Sequence, residues 1–314
     1  MTRRRVFLAA ERGARLACES LPSTSSAAQE ASYWFFTHGI LGSARNWKSF
    51  AKKFAERAEA KLHKPVVCKL IDIRCHGASS ASTAMDGPHN MANAARDFVW
   101  TIDAELGGKG RVDGLVGHSL GGKVVLRYLQ ELKGMEQGKE AVDSVSRLVP
   151  RSTWILDSLP TTARGGLVGD TEAIIAQVAQ VDLSGFAKQS EVLKHLEAKG
   201  IATPIAMWLC SSLVKEGEAL DWKFDIAGCR ELFQSFKEED LMPVVRDPPR
   251  GTSLHFVKAE RSSRLEREVG EELRALCENS VHPLKLHVLE NAGHWLHVDN
   301  PKGLLDMMAG SLKP

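Results

Sequence analysis

The stretch GLVGHSLGGKVV, residues 114–125, joins an apolar segment to a segment with helical periodicity. Its central residues, 117–121, read GHSLG and fit the pattern G-x-S-x-G. In a sharp strand-to-helix turn, only small residues fit at the glycine positions, and the turn lifts the serine hydroxyl out of the sheet. The N-terminus of the following helix also offers N–H groups to an oxyanion. The stretch therefore predicts that Ser119 is either a nucleophile or a simple helix cap.

A candidate general base follows the last predicted strand of the chain. In LKLHVLENAGHWLHVDNP, residues 284–301, His294 comes just after the apolar run and a short Ala-Gly turn. A histidine there can reach over the edge of the sheet toward a serine at another strand end. His297 falls on a following loop or helix and His287 lies inside a strand, so we interpret both as packed or solvated side chains. We predict His294 as the base.

Two carboxylates are candidates for the acid that orients this base. Asp157 ends the predicted strand STWILDS and precedes a turn bounded by Pro160. Glu260 directly follows the predicted strand SLHFVKA, but the loop beyond it reads RSSR, residues 261–264, and has no aspartate. A short carboxylate on a proline-bounded turn fixes an imidazole tautomer more easily, although glutamate can do the same work. We favour Asp157 and keep Glu260 as the alternative acid.

A second glycine-bounded turn, THGILGS (37–43), follows the apolar strand YWFF. Backbone N–H groups of such a turn can face Ser119 and bind an oxyanion together with the N–H of Leu120. We assign this role to Ile40, with Leu41 as the less favoured alternative. One such donor stabilises a transition state by about 3 kcal/mol. Four elements in the expected order, each at a strand end, favour the nucleophile over the helix cap for Ser119.

The segment IDIRCHGASS (71–80) brings three polar residues close together, namely Asp72, Arg74 and His76. None of them occupies a position expected for the nucleophile, the acid or the base. We interpret them as a buried network that anchors a loop.

Apolar runs alternate with helical patterns along the chain, which predicts βα units on a mostly parallel central sheet flanked by helices. Between about residues 160 and 249 this alternation stops and only helical stretches occur, so we predict one domain with a core of 1–159 and 250–314 and an inserted helical lid. Counting two N-terminal strands, RVFLAA and ARLACESL, the lid follows the sixth strand. Six lid residues are candidates for a substrate pocket, namely Trp208, Leu209, Trp222, Phe224, Phe233 and Phe236.

Composition excludes several classes of function. The chain has 41 Lys and Arg against 39 Asp and Glu, so no broad basic surface indicates nucleic acid. Six scattered cysteines without paired spacing indicate a reducing, intracellular compartment and no zinc motif. The sequence has no apolar run of transmembrane length.

The arginine-rich N-terminus leaves an organellar presequence as a minority interpretation beside the N-terminal strands. A metal site at His294, His297 and Asp299 has loose spacing and is not favoured.

Five blocks of this sequence together resemble the α/β-hydrolase superfamily, in particular a branch with small bacterial acyl esterases and a mitochondrial serine hydrolase. They are HGILGSARNW (38–47), IDIRCHGASS (71–80), GHSLGGK (117–123), LDSLP (156–160) and GHWLHVDNP (293–301). The resemblance implies Ser119 as nucleophile, His294 as base, Ile40 and Leu120 as oxyanion donors, and Asp157 as acid.

The same resemblance implies hydrolysis of esters or thioesters with short to medium acyl groups, without a metal or cofactor. The expected partner is a small-molecule substrate, and the expected assembly is a monomer or homodimer. The expected compartment is the cytoplasm or an organelle such as the mitochondrion. The alternative function is a ligand receptor or partner-binding protein that keeps the fold with little or no turnover.

Overall fold

A computed structural model describes residues 13–23, 30–80, 85–108, 110–136, 145–163, 168–217, 219–265, 267–279 and 281–313. The described strands are β1 (Cys18–Leu21), β2 (Ser32–Thr37), β3 (Val66–Ile71), β4 (Val112–His118), β5 (Ser152–Leu156), β6 (Leu213–Glu216), β7 (Ala219–Trp222), β8 (Ser253–Ala259) and β9 (Leu284–Leu289). Seven of them form one sheet in the order β1-β3-β2-β4-β5-β8-β9. β1 is antiparallel to β3, and all other neighbours in this sheet are parallel. The predicted mostly parallel sheet is confirmed.

Helices cover both faces of this sheet. The core helices are α1 (Lys48–Leu62), α2 (Met91–Leu106), α3 (Leu120–Glu136), α9 (Arg267–Asn279), α10 (Leu296–Asp299) and α11 (Pro301–Ser311). α1, α10 and α11 pack on one face, and α2, α3 and α9 pack on the other. In α1 the buried residues Phe50, Phe54 and Ala58 recur at intervals of four, which gives the helix one apolar side toward the strands. The predicted layers of helix, sheet and helix follow from such one-sided burial.

The described part of the chain between β5 and β8 adds no strand to this sheet, but it is not purely helical as the sequence predicted. It holds α4 (Gly169–Val178), α5 (Gln189–Ala198), α6 (Thr203–Cys210), α7 (Ile226–Glu238) and α8 (Met242–Arg246), and β6 pairs with β7 in a separate two-stranded sheet. In the described chain this insertion follows the fifth strand, because the predicted strand RVFLAA (5–10) and the arginine-rich N-terminus lie outside the described residues. The second predicted N-terminal strand is present in part as β1, which pairs with β3.

A buried lysine joins the insertion to the core. Lys123, in the first turn of α3, is completely buried and donates hydrogen bonds to the carbonyl oxygens of Thr161 (2.7 Å) and Phe236 (2.6 Å). Its ammonium group also lies 4.5 Å from the centre of the Phe236 ring. Burial lowers the pKa of Lys123 to about 8, since the charged form loses its hydration. The helix that follows Ser119 is thereby held directly against α7.

The parallel strands place their carboxyl ends at one edge of the sheet. Thr37 pairs with Gly117, and Leu156 pairs with both His118 and Val257. The loops that follow β2, β4, β5, β8 and β9 therefore emerge side by side. Residues distant in sequence meet there, which is the usual location of ligand sites in open α/β sheets.

Candidate active site

Ser119 stands between β4 and α3 with a backbone φ of +52°. This left-handed conformation is strained for a residue with a side chain. Close backbone packing supports the turn, because a Cβ atom on Gly121 would lie 2.5 Å from the carbonyl oxygen of His38. A Cβ atom on Gly117 would overlap the carbonyl group of Gly121. The two glycines of G-x-S-x-G are thus required by close contact with neighbouring backbone.

His294 and Asp157 form a direct pair. Nδ1 of His294 lies 2.8 Å from Oδ2 of Asp157, whose side chain is fully buried, whereas the His294 side chain is 21% exposed. With Nδ1–H donating to the carboxylate, Nε2 is the nitrogen left to accept a proton. The predicted base and the favoured acid are therefore brought together, with the acid inside the protein and the base at its edge.

The loop after β8 supports the Asp157 carboxylate. The N–H of Ala259 donates to Oδ1 over 3.2 Å, and the hydroxyl of Ser262 donates to Oδ2 over 2.5 Å. Asp157 itself has a positive φ of +45° at the end of β5. Ser262 was not among the residues predicted from the sequence. Its only signal was its position, since it lies just beyond a strand end where an acid was sought and not found.

The two competing histidines and the alternative acid have other partners in the structure. Glu260 accepts a hydrogen bond from the N–H of Asn291 (2.7 Å), so the structure brings Asp157 and not Glu260 to His294. The ring of His297 is stacked on Trp47 with centroids 4.4 Å apart. His287 contacts another ring nitrogen, Nδ1 of His255, within β8 and β9.

The disfavoured metal site does not assemble from the residues considered for it. Asp299 accepts a hydrogen bond from the N–H of Gly293, and Nδ1 of His294 is bonded to Asp157. Within the part of the chain that the structure describes, ligand atoms of three different residues converge instead at Cys75, His89 and Asp225, within 4.8 Å of one another. That group does not include Ser119, His294 or Asp157.

His118, the residue directly before Ser119, holds the loop that carries His294. Its Nε2–H donates to the carbonyl oxygen of His294 over 2.7 Å, and the two rings lie 4.6 Å apart. Burial and the neighbouring histidines hold the pKa of His118 well below its ordinary value, which keeps the ring neutral. The sequence analysis assigned no role to this residue, because only the fold brings the end of β4 against the loop after β9.

Two neutral histidines hold the glycine turn after β2. His38 accepts the N–H of Ile73 at Nε2 (3.1 Å), so its Nδ1–H donates to the Gly39 carbonyl (2.8 Å). His76 accepts the N–H of Leu41 at Nε2 (2.9 Å). Burial lowers the pKa of His38 to about 4 and that of His76 to about 3. Because His76 occupies the Leu41 N–H, Ile40 is the better of the two predicted oxyanion donors.

This turn lies directly against the serine. A Cβ atom on Gly39 would lie 3.2 Å from Cβ of Ser119, so the two loops approach to van der Waals contact. Leu120 is the first residue of α3, and the N–H of a first helical residue has no intrahelical acceptor. The two N–H groups proposed from the sequence therefore belong to two segments in contact.

The polar residues after β3 form the anchoring network that the sequence indicated. The carboxylate of Asp72 accepts the N–H groups of Ala44 (2.6 Å) and Ala78 (2.8 Å). Arg74 forms a buried ion pair with Asp97 of α2, with Nε and Oδ2 2.8 Å apart. Burial raises the pKa of Asp72, although the two donors oppose this shift. These residues fix loops around the site, whereas Ser119, His294 and Asp157 come from other segments.

Ser119 and His294 line one cavity of about 460 Å³. Its walls are largely apolar, with contributions from Ile174, Ile205, Trp208, Trp295 and Val298. Of the six insertion residues considered for a substrate pocket, Trp208 lines this cavity, whereas Phe233 and Phe236 stack on each other with centroids 5.5 Å apart. A volume of this size fits a small molecule.

Burial dominates the electrostatics of His294. It lowers the pKa of the imidazole, while the hydrogen bond to Asp157 opposes the shift and the positive charge of Arg264 adds to it. A base with a pKa below 6.5 is neutral at physiological pH. The histidine is therefore in the form that can accept a proton.

A family model described as the alpha/beta hydrolase family matches residues 34–307, and the chain belongs to this family. The five sequence blocks that suggested the resemblance agree with three observations on the structure. These are the strand order of the sheet, the positive φ of Ser119 and the hydrogen bond between His294 and Asp157.

Two curated relatives span most of the chain. The mouse protein named sn-1-specific diacylglycerol lipase ABHD11 is 26% identical over 283 residues, which cover 88% of this chain and 80% of the mouse protein. Esterase YbfF of Escherichia coli is 24% identical over 269 residues, covering 85% and 88% of the two chains. The serine hydrolase of the branch that the five blocks resemble is ABHD11, and the expected likeness to it and to small bacterial esterases is confirmed.

Solved structures support the same fold. A marine microorganism esterase superposes with a TM-score of 0.72 at 20% identity, covering 95% of this chain and 99% of that chain. A hydrolase of E-2-(acetamidomethylene)succinate gives a TM-score of 0.67 at 18% identity, with 94% of each chain covered. No helix within the described ranges is both long and apolar enough to cross a membrane.

Proposed function

We propose that this protein is a serine hydrolase that cleaves carboxylic esters or thioesters of short to medium acyl groups through an acyl-serine intermediate. The observation that supports this most directly is the 2.8 Å contact between Nδ1 of His294 and the buried Asp157 carboxylate, beside a cavity that Ser119 also lines. The named activities of the esterase and lipase relatives are consistent with it.

In the proposed reaction, Nε2 of His294 takes the proton of the Ser119 hydroxyl as the oxygen attacks the acyl carbonyl. Asp157 holds the ring in the tautomer with Nδ1–H and stabilises the imidazolium that forms. The N–H groups of Ile40 and Leu120 bind the developing oxyanion. The same histidine then donates its proton to the leaving alcohol or thiol, and it later activates the water that releases the acid.

The walls of the cavity support the substrate class. Apolar side chains from α4, α6 and the loop after β9 surround the serine, so an acyl chain can lie against them without burying unpaired polar groups. The insertion between β5 and β8 supplies three of these residues, Ile174, Ile205 and Trp208. We therefore propose that this insertion, residues 160–249, acts as a lid that sets the length of the acyl chain.

The test is hydrolysis of p-nitrophenyl butyrate by the wild type and by Ser119→Ala. We expect the variant to lose kcat by orders of magnitude, since the nucleophile of such a triad has no substitute. A fluorophosphonate probe should label the wild type and not the variant. Full turnover by Ser119→Ala would overturn the assignment. Ser184→Ala, an exposed serine in the insertion, serves as the control for nonspecific effects of serine removal.

The alternative function, a receptor or partner-binding protein on this fold, predicts a different result. Such a protein can be labelled once at Ser119 but does not release product repeatedly. Counting product molecules per reactive serine, with the concentration of reactive Ser119 taken from a separate titration with the probe, separates the two functions. Many turnovers on a simple ester support the hydrolase, and a single stoichiometric burst supports the receptor.

A further inference from the structure

Arg264 lines the same cavity as Ser119 and His294. It lies on the loop after β8, the loop that holds the Asp157 carboxylate through Ser262. Its own N–H donates to the Ser262 hydroxyl over 3.3 Å, which links its position to that of the acid. Because the carboxylate comes from the end of β5, the loop after β8 is free to bring an arginine into the site.

Among the described residues, the guanidinium of Arg264 has one hydrogen-bond partner, which is neutral. Its Nη2 donates to Oγ1 of Thr171 on α4 over 2.8 Å. Within the described ranges, no carboxylate comes within the 4.0 Å of an ion pair. Asp157 is hydrogen-bonded to His294, Ser262 and Ala259, and Asp170, which also lines the cavity, is exposed to solvent and lies beyond ion-pair distance. A guanidinium has five N–H donors in a planar arrangement, so this contact leaves most of them to the cavity.

A cation of this kind is costly to bury alone. Burial lowers the pKa of Arg264, and the charges of Asp157 and Asp170 only partly oppose this shift. A charge that its neighbours compensate only in part is stabilised when an anion binds to it in the largely apolar cavity. Carboxylates and phosphates match the two parallel N–H groups of arginine, and such charge-assisted bonds are the stronger ones.

We propose that Arg264, assisted by Thr171, binds an anionic group of the substrate, so that the preferred substrates are esters or thioesters with a negative charge within reach of the reacting carbonyl. This inference rests on the proposed function, because it names the substrate class of that site. The charge can belong to the acyl part or to the leaving group, and both sources share the same chemistry.

Two matched pairs of esters test the two sources. The acyl pair is the p-nitrophenyl monoester of adipate against p-nitrophenyl hexanoate. The leaving-group pair is 4-carboxyphenyl butyrate against the butyrate of methyl 4-hydroxybenzoate. For each pair, the ratio of kcat/KM between the charged and the neutral ester removes any general effect of a variant on turnover.

We expect Arg264→Gln to lower this ratio by about tenfold or more for one of the two pairs, mainly through KM. Arg264→Lys should restore part of the ratio, since it keeps the charge without the planar donors. Arg261→Gln is the matched control, because Arg261 lies on the same loop but is exposed and donates to the carbonyl of Asn291. Ratios that stay within about twofold for both pairs, or that fall equally in Arg261→Gln, would overturn the proposal.

A binding measurement distinguishes failure of this inference from failure of the proposed function. In a Ser119→Ala background, calorimetry with adipate and with 4-hydroxybenzoate reports on the anion site without turnover. We expect one of the two anions to bind, and Arg264→Gln to weaken that binding by about tenfold. If neither anion binds, or if binding is unchanged in Arg264→Gln, the anion site is absent even when Ser119 proves to be the nucleophile.

Discussion

The hydroxyl of Ser262 donates a 2.5 Å hydrogen bond to Oδ2 of Asp157, the same oxygen that accepts from Nδ1 of His294. Ser262 belongs to the loop after β8, whereas Asp157 follows β5. Residues at two neighbouring strand ends therefore orient one imidazole together. The carboxylate comes from one strand end and its support from the next. The rotation of Asp157 is restrained on both of its oxygens, since Ala259 binds Oδ1.

Ser262→Ala tests the importance of this support. We expect kcat for p-nitrophenyl butyrate to fall by roughly tenfold, because one hydrogen bond to a charged group contributes about 1.5 kcal/mol. Steady-state kinetics measure this effect. Ser263→Ala is the control, since Ser263 is the exposed neighbour on the same loop. Equal kinetics for the two variants would show that Asp157 needs no help from Ser262.

The identity of the acid is tested by comparing Asp157→Asn with Glu260→Gln. We expect Asp157→Asn to reduce kcat by about four orders of magnitude, because the amide favours the wrong imidazole tautomer. Glu260→Gln should keep near wild-type kcat, since its carboxylate accepts from Asn291 at the surface. The reverse ranking of the two variants would assign the acid to Glu260.

The pH profile of kcat/KM reports on the charge near His294. His294 must be neutral to accept a proton. We therefore expect kcat/KM to decrease as the pH is lowered through the pKa of His294, which burial holds below 6.5. Arg264 adds to this lowering, and its removal makes the imidazolium less costly. In Arg264→Gln the acidic limb should therefore move to higher pH, as measured with p-nitrophenyl butyrate. A shift to lower pH in this variant would contradict the assignment of His294 as the titrating base.

Two glycines of α3 provide a matched pair for the serine turn. In Gly121→Ala the new methyl group would lie 2.5 Å from the His38 carbonyl oxygen, so we expect the free energy of unfolding to decrease by about 1–3 kcal/mol. We also expect a loss of ester hydrolysis, because Ser119 lies on this turn. Gly134→Ala meets no atom within 4 Å and should stabilise the helix by about 0.5–1 kcal/mol. Urea denaturation and ester hydrolysis measure both. Equal effects of the two substitutions would show that the turn tolerates a Cβ atom.

The buried His76 should make stability depend on pH. Its folded-state pKa is lowered to about 3, so the stability it contributes is complete above pH 6.5 and is lost as the pH falls from 6.5 toward 3. Between pH 7 and pH 5 this amounts to about 2 kcal/mol. In His76→Asn the free energy of unfolding should therefore vary less with pH over that range, as urea titrations at the two pH values will show. An unchanged slope would mean that His76 is not the titrating group.

The sequence by itself predicted the order of the core strands and helices and the positions of Ser119 and His294 at strand ends, but it did not predict the β6–β7 pair of the insertion. Apolar alternation, glycine spacing and the G-x-S-x-G turn are local properties, because each follows from backbone sterics and one-sided burial within a short segment. The sequence also limited the acid to Asp157 or Glu260, since both follow apolar strands. It also predicted that the glycine-bounded turn of residues 37–43 faces Ser119, with Ile40 favoured over Leu41 as the oxyanion donor.

Only the tertiary structure decided which of these candidates meet. β5 and β8 are neighbours in the sheet although about a hundred residues separate them, and their pairing brings Ser262 to Asp157 and Arg264 into the cavity. His76, on the loop after β3, accepts the hydrogen bond of the Leu41 N–H. No local pattern encodes this contact, because the two residues belong to different segments. Periodicity reports which face of an element is buried, whereas hydrogen-bond partners across strand ends depend on sheet order, register and the packing of loops.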